Sequence, residues 1–306
     1  MPDSREPRIR GRGHPLPFSK GRMATTLFLS GVDAQHAYEL ALEIEESVLE
    51  TGVEEIALDD LHPIVEGVLA RRDGPAGVER YRAWQKVLRR ERPLILLMGG
   101  ATGTGKSSLA TELAYRLGIS RITSTDVVRQ VMRAFFAPAL MPTLHYSSFE
   151  AGEATRMPMP DPDGTDVALY GFMQQAEQVS VGAAAVIDRA VQEGLSTVLE
   201  GVHLVPGLVE VPEHTSATVV QVLLAIDHEE AHQAHFVARD STSGGARALD
   251  RYLRHFGEIR RIQDYLVTRA ERVGVPVIDA TDADHALRSV LDLILERATA
   301  APGAVP

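Results

Sequence analysis

The chain has 306 residues, 44% hydrophobic and 24% charged, the balance of a soluble globular protein with room for an α/β core and a smaller domain. A formal net charge of −11 leaves no basic footprint for a polynucleotide partner, although a local patch for a small phosphorylated anion is compatible with it. There is no cysteine, which excludes disulfides, thiolate catalysis and Cys-ligated metals.

In chain order, residues 1–15 are rich in Arg, Gly and Pro and read as a mobile tail without the apolar core of a secretory signal. No apolar run approaches the length of a membrane span, so the expected location is the cytoplasm. Asp33 to Glu50 predicts an amphipathic helix with Ala34, Ala37, Ala41, Ile44 and Val48 on one face, capped by Asp33. Leu58 to Ala70 and Val78 to Arg90 predict two more helices, making a small, mainly helical unit; no hairpin is legible before Asp33. From Pro93 onward the pattern alternates. Strands are expected at Leu94–Met98, Arg121–Ser124, Thr197–Glu200, Thr218–Ile226 and Val275–Asp279. Helices are expected at Lys106–Leu117, Asp126–Phe136, about Thr165 to Glu193, one or more from Glu229 to Arg272, and Asp284–Arg297. That alternation predicts a doubly wound parallel sheet of about five strands with helices on both faces.

Gly100-Ala-Thr-Gly103-Thr-Gly105-Lys106-Ser107 fits G-x-x-x-x-G-K-S and lies between the first of these strands and a helix. Its glycines allow backbone N–H groups to face a phosphate, and the helix N-terminus adds partial positive charge. The expected nucleotide contacts are Gly100, Thr102, Gly103, Thr104, Gly105, Lys106, Ser107 and Ser108. Lys106 is expected to reach the β- and γ-phosphates of ATP, and the Ser107 hydroxyl to bind Mg²⁺.

Further blocks carry a family resemblance. They are Pro17-Phe-Ser-Lys-Gly21, Tyr81-Arg82-x-Trp84, Ser124-Thr-Asp126-x-x-Arg129, Leu144-His145-x-Ser147-Ser148, Glu200-Gly-Val-His203-Leu-Val-Pro206-Gly207, and Arg251-Tyr252 followed by Ile259-Arg260-x-Ile262-Gln263-x-Tyr265-Leu266. In this order they resemble 2-phosphoglycerate kinase, a P-loop kinase, from about residue 17 to about residue 280. The resemblance implies ATP-dependent phosphorylation of the 2-phosphoglycerate hydroxyl to 2,3-bisphosphoglycerate. The N-terminal unit is similar to an ATP-cone, which places a module at 16–90, the kinase domain at 91–299 and a short tail at 300–306. The expected partner is a small anionic substrate, with no nucleic acid and no membrane; monomer and homodimer both stay open.

Phosphoryl transfer needs alignment and positive charge more than covalent help. Asp126 follows the second strand and is expected to orient the acceptor hydroxyl or hold a Mg²⁺ water, unless it only caps its helix. Arg129 and Arg133, four residues apart, suit an acceptor carrying a carboxylate and a phosphate. Glu200 ends a strand at the position of a Walker-B acid and is the second expected Mg²⁺ residue. The family motif alone adds His145, Ser147, Ser148 and His203 as acceptor-binding groups. Among the arginines flanking Ser241-Thr-Ser-Gly-Gly245, Arg239 and Arg251 are the first choices to stabilise the transferring group. The loop Asp279-Ala-Thr281 is expected beside the adenine by analogy with other P-loop kinases.

His228-Glu-Glu-Ala-His232 fits the zinc-protease pattern H-E-x-x-H. Against a zinc hydrolase, a third histidine at metzincin spacing is replaced by Ala238, and the segment leaves a core strand directly. Two other readings stand beside the 2-phosphoglycerate kinase: a P-loop kinase for another phosphorylated or acidic alcohol, and an ATP-sensing regulator without acceptor turnover.

Overall fold

The computed structural model describes residues 7–11, 14–89, 92–155, 166–209, 216–243 and 249–299, with side chains left undescribed from 239 to 243. The chain divides into two compact units, Met1–Arg90 and Glu91–Pro306.

The first unit contains β1 (Arg8–Arg10), β2 (Leu16–Pro17), α1 (Lys20–Leu29), α2 (Ala34–Glu50), β3 (Glu55–Ala57), α3 (Leu58–Arg72) and α4 (Gly74–Arg89). β1 pairs antiparallel with β2 and parallel with β3. The hairpin missing from the sequence pattern is therefore present, and β1 lies inside the stretch expected to be a mobile tail. Strands of two and three residues are too short for alternation to register. Asp33 caps α2 by accepting from Gln35 and His36 N–H groups. The stripe of α2 is buried at Ala37, Leu40, Ala41, Ile44 and Val48; Ala34 is exposed and Leu40 takes its place.

The second unit runs β4 (Leu94–Gly100), α5 (Lys106–Arg116), β5 (Ile122–Ser124), α6 (Thr125–Phe135), two short 3-10 turns (Pro142–His145 and Ser148–Ala154), α7 (Val167–Glu193), β6 (Thr197–Glu200), β7 (Thr218–Ala225), α8 (Glu229–Ser243), α9 (Leu249–Arg254), α10 (Phe256–Val273), β8 (Val277–Asp279) and α11 (Ala283–Thr299). The five strands form one parallel sheet in the order β5-β6-β4-β7-β8. β4 and β6 are buried along their whole length, as both-face coverage requires. Neighbouring residues show the two layers. Leu223 packs with Ile259, Ile262 and Leu266 of α10. Leu224 faces the cleft lined by α5 and α11. Ile95, Leu97 and Leu199 pack against Ala183, Ile187 and Ala190 of α7. No described helix is long and apolar enough to cross a membrane.

The strand order puts β4 at the centre, with the chain running to one side through β5 and β6 and crossing to the other at β7. Parallel αβ sheets bind ligands outside the carboxyl ends of their strands at such a switch. The glycine loop, Asp126 and Glu200 follow or end β4, β5 and β6, so all three lie at that edge.

Candidate active site

The glycine loop leaves β4 at Gly100 and enters α5 through Gly105, with φ of 151° at Gly100, 92° at Gly103 and 77° at Gly105. These values favour glycine, and at Gly103 a Cβ would also collide with the Phe236 ring. The loop is braced from within. Thr104 Oγ1 donates to the Ala101 carbonyl (3.0 Å), and Lys106 Nζ donates to the same oxygen (3.1 Å). The first backbone bond of α5 is Leu109 N–H to the Gly105 carbonyl. The backbone N–H groups of Gly103, Gly105, Ser107 and Ser108 bond no carbonyl among the described residues. This is the donor set an anion at a helix N-terminus requires. A cleft of about 620 Å³ continues from the loop between α5 and α11, with Leu224, Ala280, Ala283 and Leu287 in its wall. Ala280 belongs to the loop expected beside the adenine. Asp279 in that loop accepts from Thr281 N–H and Oγ1.

Asp126 does not cap its helix. Ser124 is the cap, accepting from Val127 N–H at 3.2 Å, which frees the Asp126 carboxylate. The carboxylate is 59% exposed and lies 3.4 Å from Arg129 Nε. Desolvation by the surrounding walls works against its charge, but Arg129 and Lys106, joined by His203 where its ring is protonated, outweigh it and hold the carboxyl below its ordinary range. Asp126 is therefore ionised at neutral pH and feels the charge of the glycine-loop lysine.

Glu200 closes β6 opposite Met98 and is 6% exposed. Gly201 follows with a φ of 147° and donates its N–H to the Met98 carbonyl. A Cβ at Gly201 would overlap Thr125 Oγ1, so glycine here lets β6 end against the start of α6. Among the described residues no group of three His, Asp or Glu converges as a metal cage.

Two residues expected to contact the substrate are engaged within the protein. His203 is fully buried, and both ring nitrogens are bonded within the protein. Gln175 Nε2 donates to the Thr143 and Tyr146 carbonyls, so its Oε1 is left to accept from His203 Nε2–H at 3.0 Å. His203 Nδ1 then accepts from the Thr125 hydroxyl at 2.8 Å. His203 thus locks α6 to α7 and has no free edge for a ligand. Arg129 is 7% exposed, and its Nη1 donates to the Leu144 and Tyr146 carbonyls, both at 2.9 Å. It ties the 143–146 segment to Asp126, and the two arginines do not present a paired face. Arg133, one turn on, is exposed in the last turn of α6.

The 145–150 segment is the other wall. His145 Nε2 donates to the Phe136 carbonyl (2.9 Å). Ser148 is buried, and Ser147 accepts from Arg251 Nη2 at 3.0 Å. Arg251 also forms a two-point ion pair with Glu150 and lies over the Phe149 ring. This keeps the Glu150 carboxyl below its ordinary range, chiefly through the Arg251 hydrogen bonds. Arg251 thus sits on the Ser147–Glu150 wall. The Arg239 side chain lies outside the described residues.

His232, the second histidine of the H-E-x-x-H pattern, and His235, one turn on, both reach the glycine loop. His232 Nε2 lies 2.8 Å from the Thr102 carbonyl, and His235 Nδ1 lies 3.2 Å from the Gly103 carbonyl.

Comparison with known proteins places the chain in a family. Residues 8–89 match the ATP cone domain. The 2-phosphoglycerate kinase of Methanopyrus kandleri is 39% identical over 288 residues, covering 94% of this chain and 86% of that one. The chain belongs to the 2-phosphoglycerate kinase family. Family members from Methanothermobacter thermautotrophicus and Thermococcus kodakarensis are each 38% identical and cover 92% and 90% of this chain, respectively, and 92% of their own. A gluconokinase from Sinorhizobium meliloti aligns over 68% of this chain and 94% of its own at 14% identity, with a TM-score of 0.32, too weak a likeness to bear on the site.

Within this 2-phosphoglycerate kinase family member, the block Ile259–Leu266 has a structural use that its residue types did not reveal. Gln263 accepts from Ile226 N–H and donates to the Ile226 carbonyl, continuing β7 by one side-chain pair. Arg260 donates to the Ile226 and Asp227 carbonyls. The roles of Gln175, Thr125 and Arg260 are not legible in the sequence, because their partners, the backbone carbonyls of Thr143, Tyr146, Ile226 and Asp227 and the His203 ring, lie far away in the chain.

Burial lowers both His203 and His232 to a pKa of about 4, by stripping water from the charged ring. The unfolded chain, with histidines near 6.5, takes up these protons first. Stability is therefore expected to be flat in this respect above pH 6.5 and to fall as pH drops toward 4. Urea midpoints at pH 7 and pH 4.5, for wild type and His203→Gln, check this. A slope unchanged by the substitution would contradict a buried neutral His203.

Proposed function

We propose that the protein transfers the γ-phosphoryl group of ATP to the free hydroxyl of 2-phosphoglycerate, giving 2,3-bisphosphoglycerate and ADP. The observation that carries this reading is the meeting, at one sheet edge of a 2-phosphoglycerate kinase family member, of a braced glycine loop and an ionised, uncapped Asp126. The loop amides and Lys106 take the ATP phosphates, and the alanine-walled cleft takes the base. Asp126 accepts the hydrogen bond of the acceptor hydroxyl and aims its oxygen at the γ-phosphorus. A new O–P bond forms as the bond from the γ-phosphorus to the β–γ bridging oxygen breaks; ADP leaves with that oxygen, and the hydroxyl proton, released late, passes by way of Asp126 to solvent. Because the transition state is loose and Asp126 is a weakened base, its work is orientation more than proton abstraction.

The acceptor lies against the 145–150 wall in this reading. Arg133, exposed at the end of α6, Ser147 with Arg251, and His145 as an imidazolium donating from Nδ1 are the groups offered to its carboxylate and phosphate. Arg129 and His203 position that wall. Ser148, buried, contributes through the backbone of its turn. Arg239 and Arg251 are both proposed as charges for the transferring group.

Mg²⁺ is proposed as the metal. Glu200, nearly buried and without an ion pair among the described residues, and the exposed Ser107 suit an ion that keeps most of its shell as water and phosphate oxygen. When bound, Mg²⁺ supplies charge neutralisation between the β- and γ-phosphates. Glu200→Gln is expected to raise the Mg²⁺ concentration for half-maximal rate by about tenfold or more. A titration at saturating ATP reads this, and an unchanged Mg²⁺ curve would remove Glu200 from the metal site.

The reading as a whole is tested by acceptor-dependent ADP release with Mg-ATP. The panel contains 2-phosphoglycerate, 3-phosphoglycerate, glycerate and sugar phosphates. Stimulation by 2-phosphoglycerate above the rest is expected; stimulation only by another acceptor keeps the kinase and discards the substrate.

A further inference from the structure

Helix α8 starts four residues after β7 and lays one face against the outside of the glycine loop. His232 on that face is fully buried. Arg260, itself held by the Ile226 and Asp227 carbonyls, directs Nη1 toward His232 Nδ1 at 3.5 Å. Arginine can only donate, so Nδ1 is the bare nitrogen and Nε2 carries the proton given to the Thr102 carbonyl. The Phe236 ring stacks on His232 with 5.4 Å between centroids and fills the space beside Gly103. His235 adds the contact to the Gly103 carbonyl.

These bonds have a geometric consequence for the phosphate site. In a trans peptide the N–H points opposite to the C=O. A carbonyl of Thr102 held outward by His232 turns the N–H of Gly103 the other way, away from α8. Glycine, with no Cβ to bias its dihedrals, would otherwise sample the flipped peptide freely. An anion-binding loop works by having its amides aimed before the ligand arrives.

We propose that His232, oriented by Arg260, is a positioning residue that fixes the Thr102–Gly103 peptide of the glycine loop, with His235 as a weaker second hold. The inference rests on the loop being the ATP phosphate site. It gives the H-E-x-x-H segment a use with no metal: its second histidine supports the nucleotide loop from behind.

The test compares His232→Gln with His232→Asn. Glutamine can place an amide N–H near the position of Nε2; asparagine is one carbon too short. His232→Gln is expected to keep the KM for ATP within about threefold of wild type, and His232→Asn to raise it about tenfold and lower kcat, with the KM for 2-phosphoglycerate within about twofold in both. His235→Ala, at a half-buried position, is expected to raise the KM for ATP about threefold with an unchanged melting temperature. Calorimetric ATP binding without acceptor is read in parallel. Wild type that binds no ATP would sink the reading of the loop itself. Wild type that binds ATP, with glutamine and asparagine variants indistinguishable from each other, would overturn the role of His232 alone. Should both His232 variants fail to fold, a His235→Ala enzyme with wild-type ATP affinity would overturn the proposal.

Discussion

Lys106→Ala is expected to reduce phosphoryl transfer by roughly 10³-fold or more while the protein stays folded. Both halves of the expectation come from the local structure. The ammonium is the one side-chain cation within the loop itself, and its field reaches Asp126. No neighbour replaces it, since Arg129 and Arg260 are tied to backbone carbonyls. The fold, by contrast, loses little. Lys106 is the first residue of α5, where alanine is an excellent helix former. The Ala101 carbonyl keeps its bond from Thr104 Oγ1. Turnover by stopped assay and a melting curve on the same preparation check the two halves. A folded Lys106→Ala enzyme with more than a tenth of wild-type kcat would contradict the role given to the loop.

Asp126→Asn should lower kcat by about 10²–10³-fold and leave the affinity for ATP within a few-fold. The amide keeps the shape and can still accept from Arg129 Nε, so the 143–146 wall stays tied. What disappears is the charge that attracts the hydroxyl proton. The depressed Asp126 carboxyl adds a pH signature. Its ionised form survives below the ordinary carboxylate range, so the acid limb it contributes to kcat/KM lies lower than for an unperturbed aspartate. In Asp126→Asn that limb should vanish. An Asp126→Asn enzyme with near wild-type kcat and the same acid limb would reassign the residue to a structural pair with Arg129.

The parts of the fold legible in the sequence are those where local periodicity and burial agree. β6 is expected at Thr197–Glu200 and is found there, because a short buried strand ending in Glu-Gly has sharp edges. α2, α5 and α7 follow their apolar spacing and caps, Asp33 and Gly105 among them. β1 and β2 were illegible because they gain stability from pairing with β3 and each other, not from their own pattern. α1 was missed as well: Ser19 caps it, but its first two turns carry Gly21, Thr25 and Thr26 in place of an apolar stripe.

The site divides in the same way. The glycine loop is local in sequence and was read residue by residue. Asp126 and Glu200 were placed by the rule that ligands gather at strand carboxyl ends. Side-chain roles that depend on distant backbone atoms could not be read. Arg129 looked like an anion binder because guanidinium suits anions, yet its partners are the carbonyls of Leu144 and Tyr146. His203 looked like a ligand contact, yet Thr125 and Gln175 use both of its nitrogens. The H-E-x-x-H segment pointed to a metal by spacing, and the glycine loop turned out to be what both its second histidine and His235 touch.

The central claim is the chemical one, that this chain moves a phosphoryl group from ATP to the hydroxyl of 2-phosphoglycerate. Incubation with Mg-ATP and 2-phosphoglycerate, followed by phosphorus NMR, measures it directly. The account predicts new resonances of a bisphosphorylated glycerate growing in step with ADP, and no such growth with Lys106→Ala. ADP formed together with inorganic phosphate, at a rate indifferent to 2-phosphoglycerate, would contradict it.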